Sequence, residues 1–129
     1  MFDLNDVEKQ IKFDESSVPN LRTNIEKKII WAEKSSQRTP LSIVFIHGFS
    51  ATHVEMSPVI EKVAKALGAN VFLTRLSGHG QDGDALSNAT FDDWISDTAE
   101  AINIGEVIGN EVILIGSSTG CSLIHSIIE

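Results

Sequence analysis

The amino-acid sequence predicts an α/β protein with a partial doubly wound, mostly parallel sheet that carries helices on both faces. Short, almost purely apolar runs recur along the chain, which is typical of strands buried on both sides of a parallel sheet. Segments with apolar residues at helical spacing separate these runs, and glycine or proline marks several of the boundaries. The resulting order is β, β, α, β, α, β, α, and right-handed crossovers would join such strands into one parallel sheet.

The predicted elements follow one another from Lys28 onward. The first strand combines β-favouring residues with a turn-forming segment behind it. The first helix ends at Gly68, and the second begins with Thr90 and Asp93 at the spacing of a capping box. The sequence thus predicts strands at 28–32, 41–46, 71–74 and 112–115, and helices at 58–67, 90–109 and from 119 onward.

Residues 1–24 differ from the rest of the chain, because they are polar and irregular and contain the turn-forming pair Pro19-Asn20. We expect an N-terminal arm with one short strand or helical turn. The apolar pattern sharpens from Ile25, and 129 residues support at most one core, so residues 25–129 are expected to form one domain portion. Trp31 and Trp94 are expected to anchor its packing.

Composition excludes several classes of function. Ten Lys and Arg against eighteen Asp and Glu give a formal charge of −8, which repels nucleic acid and anionic lipid where no basic patch overrides it. No apolar run is long enough to cross a bilayer and no signal peptide is evident, so we expect a cytoplasmic protein without a membrane span. The single cysteine, Cys121, excludes an intrachain disulfide and a cysteine-based zinc site, and is expected in the core.

The most specific motif is Gly116-Ser117-Ser118-Thr119-Gly120, which matches G-x-S-x-G between a predicted strand and a predicted helix. This context is typical of a sharp turn that exposes a nucleophilic serine at the carboxyl end of a sheet. The flanking glycines are needed where a side chain would collide with the neighbouring strand or helix. The alternative is an ordinary Gly/Ser turn that caps a helix. The strand, turn and helix together favour Ser118 as a nucleophile.

A second motif, His47-Gly48-Phe49, follows the strand at 41–46, at the end of the sheet where α/β proteins bind ligands. By itself, His-Gly after a strand indicates only a turn. Together with Ser118 it indicates an oxyanion hole made by the N–H groups of Phe49 and Thr119. The dipole of the helix that begins at Thr119 would favour negative charge at the same place.

The loop Gly78-His79-Gly80-Gln81-Asp82-Gly83 fits the pattern G-x-G-x-x-G of dinucleotide-binding proteins. We reject that interpretation for two reasons. The helical pattern resumes only near Thr90, whereas a phosphate-binding loop should lead directly into a helix. Asp82 and Asp84 would also place carboxylates where phosphate belongs. We therefore expect no dinucleotide at this loop. Nucleophilic catalysis by Ser118 would require neither an organic cofactor nor a metal, and we expect neither.

These motifs and the helices between them closely resemble the N-terminal half of the α/β-hydrolase fold, especially its carboxylesterase and monoacylglycerol-lipase-like branch. The resemblance covers residues 25–129 and implies that the predicted strands at 41–46, 71–74 and 112–115 are the third, fourth and fifth strands of that fold. It implies a small-molecule ester as substrate and Ser118 as nucleophile. It further implies Phe49 and Thr119 as oxyanion donors and His47 as support for the oxyanion loop, alongside the site-shaping glycines Gly48, Gly116 and Gly120.

The sequence departs from this family in one respect. The family's acid and histidine follow the serine by a long stretch, and only eleven residues follow Ser118 here. His125 lies two helical turns along the same predicted helix and cannot reach back. We therefore expect a domain truncated after the serine turn, nearly inactive by itself, with an unpaired edge at 112–115 that promotes self-association. Open alternatives are a peptidase or thioesterase of the same fold, or a truncated hydrolase-fold protein that only binds.

Overall fold

A four-stranded sheet organises the chain in the computed structural model, which describes residues 2–128. The strands are β1 (Lys28–Ile30), β2 (Thr39–Ile46), β3 (Asn70–Leu73) and β4 (Gly109–Gly116). Their order in the sheet is β1-β3-β2-β4; β2 runs parallel to β3 and β4, and β1 pairs antiparallel with β3. The mostly parallel α/β class predicted from the apolar runs is confirmed.

Helices lie on both faces of this sheet. The long helix behind the capping-box signal begins as predicted, because the Thr90 hydroxyl accepts the N–H of Asp93 and the Asp93 carboxylate accepts the N–H of Thr90. Gly68 ends another helix in a left-handed conformation, with φ of 63°. The helices are α1 (Val7–Ser16), α2 (Val59–Leu67), α3 (Gly83–Asn88), α4 (Phe91–Ile108) and α5 (Thr119–Ile128), with a 3₁₀ turn at His53–Met56.

Alternate residues of the central strands supply the two halves of the core. On one face, Val44 and Ile46 of β2 lie in a buried cluster with residues of α1, α4 and α5. On the other face, Ile43 and Phe45 pack with Ile60 and with other residues of α2 and β3. This alternation is the period of a strand, and it explains why the run at 41–46 is apolar at every position except Ser42. Trp31 and Trp94 both pack against the first cluster, as expected.

Residues 1–24 form more structure than the short strand or turn expected. Helix α1 spans ten residues, and Val7 and Ile11 are buried in the core. Met1 lies outside the described residues. The helix was missed because its third buried position is the charged Glu15, so the apolar stripe is broken in the sequence.

Two further expectations were wrong. Helical structure was expected to resume only near Thr90, but helix α3 begins at Gly83, at the end of the loop at 78–83. The carboxylate of Asp82 caps α3 by accepting the N–H of Ala85 at 2.9 Å, so the second reason for rejecting a phosphate site stands. Cys121 is exposed instead of buried, because α5 turns Gly120, Leu123 and Ile124 toward the core.

Strand β4 lies at one edge of the sheet. Among residues 2–128 it pairs with β2 alone, in a register that sets Ile113 opposite Ile43 and Gly116 opposite Ile46. The carboxyl ends of β2 and β4 therefore lie side by side, and the two motifs that follow them meet at one end of the sheet. None of the described helices is long and apolar enough to cross a membrane.

Candidate active site

Ser118 occupies a sharp turn between β4 and α5. Its φ is 52°, a left-handed conformation that is uncommon for a residue with a side chain, and the residue is exposed. A Cβ at Gly116 would lie 2.6 Å from the backbone nitrogen of Cys121, and one at Gly120 would collide with the backbone oxygen of Ile46. The two glycines thus let the chain turn tightly enough to leave the serine side chain outside.

Backbone hydrogen bonds hold this turn against the neighbouring strand. The N–H of Ser117 donates to the carbonyl oxygen of Ile46 at the end of β2, over 3.1 Å. The carbonyl oxygen of Ser118 accepts the N–H of Cys121 at 3.0 Å, which starts α5 immediately behind the serine. The first N–H groups of α5 consequently lie next to the Ser118 side chain, where a helix favours negative charge.

The loop after β2 lies directly against this turn. A Cβ on Gly48 would sit 3.2 Å from the carbonyl oxygen of Ser117 and 3.6 Å from Cβ of Ser118, so only glycine allows so close an approach without displacement. Within residues 2–128, no hydrogen bond engages the N–H groups of Phe49 or Thr119. Phe49 lies in the loop after β2 and Thr119 is the first residue of α5, so both amides lie where these two segments meet.

His47 is a buried support for this loop. Its Nε2 accepts the backbone N–H of Leu76 at 3.0 Å, so the ring proton must reside on Nδ1, which donates to the carbonyl oxygen of Gly48 at 2.8 Å. Burial lowers the pKa of His47 to about 4, only partly opposed by the bond to Gly48. The imidazole is therefore neutral near pH 7, and both its nitrogens are occupied.

His79 supports the same loop from the other side. Its Nε2 accepts the N–H of Ser50 at 3.0 Å, while Nδ1 donates to the carbonyl oxygen of Ser77 at 3.2 Å. Burial also lowers the pKa of His79. The ring stacks edge-on with those of Phe49 and Trp94, at centroid distances of 6.0 and 5.6 Å. His79 thus helps to hold the loop after β2 in place.

The hydrogen bonds of His47, His53 and His79 all go to groups other than the Ser118 hydroxyl. His47 and His79 have both nitrogens engaged, and buried His53 bonds to the carbonyl oxygen of Glu26 over 3.1 Å. His125 lies on α5, seven residues beyond the serine and about 10 Å along the helix axis. Across residues 2–128, no three His, Cys, Asp or Glu side chains are grouped so that they could hold a metal ion.

Comparison with known proteins identifies the family to which this arrangement belongs. A model of the alpha/beta hydrolase family matches residues 43–126, well over half of the chain. The chain belongs to the α/β-hydrolase family. This α/β hydrolase is 32% identical over 88 residues to a thermostable monoacylglycerol lipase of Bacillus sp. (strain H-257), and the match covers 68% of this chain and 35% of that protein.

A solved structure from work on LipS and LipT, two metagenome-derived lipolytic enzymes, has a TM-score of 0.69 at 24% identity and supports the fold. That match covers 80% of this α/β hydrolase and 39% of the other chain. The chain thus spans between a third and two fifths of the length of these relatives. The lipase and esterase-like branch of the superfamily, expected from the three motifs, is confirmed.

The sequence motifs did not reveal one feature of the site. The carboxylate of Glu55, in the 3₁₀ turn, accepts the backbone N–H of Gly48 at 2.9 Å. A solvent-exposed glutamate in a polar segment carries no signal of such a contact, since the two residues belong to different turns of the same long connection. Only the folded path of the chain brings them together.

Proposed function

We propose that the protein is a serine hydrolase that cleaves carboxylic esters of small molecules through an acyl-enzyme at Ser118. The observation that carries the proposal is the exposed Ser118 in a left-handed turn at the head of α5, within the lipase and esterase-like branch. A strained backbone at an exposed nucleophile is difficult to explain by stability alone, because a relaxed turn would stabilise the fold more.

The reaction follows from the groups at the turn. The Ser118 oxygen attacks the ester carbonyl carbon while a general base takes its proton. The N–H groups of Phe49 and Thr119 donate to the resulting oxyanion, and they are available because neither has a hydrogen-bond acceptor within residues 2–128. The alcohol departs with a proton from the base, and water then releases the acid from Ser118. These steps need neither a metal nor an organic cofactor.

The exposed rings beside the turn suit an apolar acyl group. Phe49 is 55% exposed, and its ring lies edge-on to Trp94 at a centroid distance of 5.8 Å. An aromatic surface next to the oxyanion loop would remove the hydrocarbon part of an ester from water. This supports an ester with an apolar acyl chain over a peptide, because a peptide substrate would call for hydrogen-bonding partners at the same place.

We propose that the histidine and the acid of this mechanism come from outside these 129 residues. His47, His53 and His79 form their hydrogen bonds elsewhere, and His125 lies about 10 Å from Ser118 along the axis of α5. We accordingly propose that the 129-residue chain alone is nearly inactive. Where a member of such a triad is lost, only about 10³- to 10⁴-fold acceleration over water remains. Rapid ester turnover by the isolated chain that Ser118→Ala abolished would contradict this.

The nucleophile is tested by labelling the full-length protein with a fluorophosphonate and by following hydrolysis of p-nitrophenyl esters. Ser118→Ala should abolish both signals, because the attacking oxygen is gone. Ser117→Ala is the matched control, since it removes the neighbouring hydroxyl from the same turn and should retain both. Labelling that persists in Ser118→Ala would refute the proposed function.

A further inference from the structure

We propose that Glu55 is a positioning residue that orients the amide of Phe49 for the oxyanion, an inference that rests on the function proposed above. The Phe49 N–H belongs to the peptide unit that also contains the carbonyl oxygen of Gly48. In a planar trans peptide these two groups point in opposite directions, so whatever fixes the oxygen also aims the N–H. His47 Nδ1 and the N–H of Ala51 donate to that oxygen, at 2.8 and 3.2 Å.

The most flexible backbone in this arrangement is that of Gly48. Without a Cβ, the backbone of Gly48 can rotate far more freely than that of other residues, which would swing the following peptide away. The peptide before Gly48 must therefore be held as well. Its N–H donates to Oε1 of Glu55 at 2.9 Å, and this is the contact that holds it. With both peptide units tied, the φ and ψ of Gly48 are restrained.

The far side of Phe49 is restrained independently. Ser50 has a left-handed φ of 59°, and its N–H donates to Nε2 of the buried His79 at 3.0 Å. The N–H groups of Gly48 and Ser50 thus both donate to side chains, whereas the N–H of Phe49 between them has no acceptor in the described part of the chain. Because the amides of Gly48 and Ser50 are held by these bonds, the Phe49 N–H between them is left to donate to a ligand. An oxyanion hole requires such a donor.

Glu55 acts here through its oxygen as a hydrogen-bond acceptor, and its charge is incidental. A glutamine offers the same acceptor at the same reach and keeps the restraint. Alanine removes the acceptor altogether. Because Glu55 is exposed, either change should leave the core and the melting temperature nearly unaltered. Loss of the restraint leaves the donor in place but poorly aimed, so the effect should fall at or below that of deleting a donor, about 10²- to 10³-fold in kcat.

The experiment measures kcat, KM and the rate of fluorophosphonate labelling for full-length wild type, Glu55→Ala, Glu55→Gln and Glu61→Ala. Glu61 is the matched control: it lies in the first turn of α2, its carboxylate accepts the Ser57 hydroxyl at 2.6 Å, and within residues 2–128 it forms no hydrogen bond with the loop that carries Phe49. Glu55→Ala should lower kcat by about ten- to a hundredfold with little change in KM, because a misaimed donor weakens binding of the transition state alone. The kcat of Glu55→Gln should stay within a few-fold of the wild-type value, and the kcat of Glu61→Ala should equal the wild-type value.

Three outcomes would overturn the inference. Wild-type kcat in Glu55→Ala, while Ser118→Ala is inactive, would refute the role of Glu55 and leave the proposed function intact. A loss in Glu55→Gln as large as in Glu55→Ala would show that the acceptor is not what matters. Labelling and turnover that survive in Ser118→Ala would refute the proposed function, and the role of Glu55 with it.

Discussion

The backbone N–H of Leu76 donates to Nε2 of His47 over 3.0 Å, and this bond can exist only while the imidazole is neutral. The ring is fully buried at the end of β2, between the loop that carries Phe49 and the segment that follows β3. Protonation would therefore break a hydrogen bond and place a charge in the core. The same side chain that supports the oxyanion loop makes the fold sensitive to acid.

This relationship predicts that the free energy of unfolding falls as the pH drops from about 6.5 toward about 4. The folded-state pKa of His47 is lowered by burial to about 4 from an ordinary value of 6.5, so the unfolded chain binds the proton first. Between about pH 7 and pH 5, protonation linked to His47 should lower the free energy of unfolding by about 2 kcal/mol. Burial also lowers the pKa values of His53 and His79, which adds to the effect.

Urea unfolding at the two pH values measures this dependence. His47→Gln should reduce this dependence, because one proton-linked group is gone. Equal unfolding free energies at about pH 7 and pH 5 in the wild type would show that the burial of His47 is not maintained in solution.

A second prediction concerns the ion pair between Glu15 and Arg75. Nε and Nη2 of Arg75 donate to the two oxygens of Glu15 at 2.9 and 2.8 Å, and each side chain is only 6% exposed. Burial raises the pKa of Glu15, but the bonds from Arg75 and from the N–H of Lys27 outweigh it and hold the pKa below its usual value. The pair's contribution is thus present above the ordinary pKa of a glutamate and is lost as the pH falls through the lowered one.

Glu15→Ala should destabilise the fold by about 3–5 kcal/mol, because it leaves the buried guanidinium unpaired. The control is Glu100→Ala, which breaks the pair with Lys27 at 2.7 Å, where the side chains of Glu100 and Lys27 are 32% and 13% exposed. That change should cost at most about 1 kcal/mol. If urea unfolding shows that Glu15→Ala and Glu100→Ala lose the same free energy of unfolding, the distinction between the buried and the more exposed pair is wrong.

Glu15 also shows why part of the fold could not be predicted from sequence. Val7, Ile11 and Glu15 form one buried stripe on α1 at a spacing of four, but the third member is charged and finds its partner sixty residues away. Local periodicity cannot detect such a pairing. The strands at 41–46 and 112–115 were predictable because packing against both faces of the sheet favours nearly continuous apolar runs.

The site divides in the same way. The turn around Ser118 was predictable, because steric contact between β4, α5 and β2 dictates glycine at 116 and 120. The contacts that aim the oxyanion loop were not, because they join His47 to Leu76 and Gly48 to Glu55 through single backbone N–H groups. Any side chain with an acceptor at a suitable distance could accept these N–H groups. Such contacts therefore produce no recognisable spacing in the sequence.

A third prediction concerns the open edge of β4. Within residues 2–128, the strand has one partner, and its apolar residues are only partly buried. We propose that the 129-residue chain self-associates through this edge, because unpaired backbone groups accept strands from other copies. Sedimentation velocity over a range of concentrations should show association. A monomer that unfolds cooperatively at every concentration would contradict it.

A lysine placed on that edge should weaken the association, since edge charges oppose strand pairing. Asn110→Lys introduces it at an exposed position of β4, and Asn103→Lys introduces the same charge at an exposed position of α4. Asn110→Lys should shift the distribution toward monomer, and Asn103→Lys should not. Similar behaviour of the two variants would place the contact elsewhere.

A fourth prediction isolates the backbone strain at Ser118 from its chemistry. With φ of 52°, position 118 favours glycine, because the left-handed region costs an ordinary residue about 1–2 kcal/mol. Both Ser118→Gly and Ser118→Ala lack the hydroxyl, but only glycine relieves the strain. Ser118→Gly should therefore unfold at a higher temperature than Ser118→Ala, even after the extra flexibility of glycine in the unfolded chain is counted, at about 0.4–1 kcal/mol.

Position 117 supplies the control, because Ser117 is not among the residues with positive φ. There the order should reverse, with alanine more stable than glycine, since no strain exists to be relieved and only the flexibility of the unfolded chain differs. Thermal unfolding of the four variants decides the matter. If alanine is at least as stable as glycine at position 118, the turn is relaxed in solution, and the geometry that exposes the serine oxygen is absent.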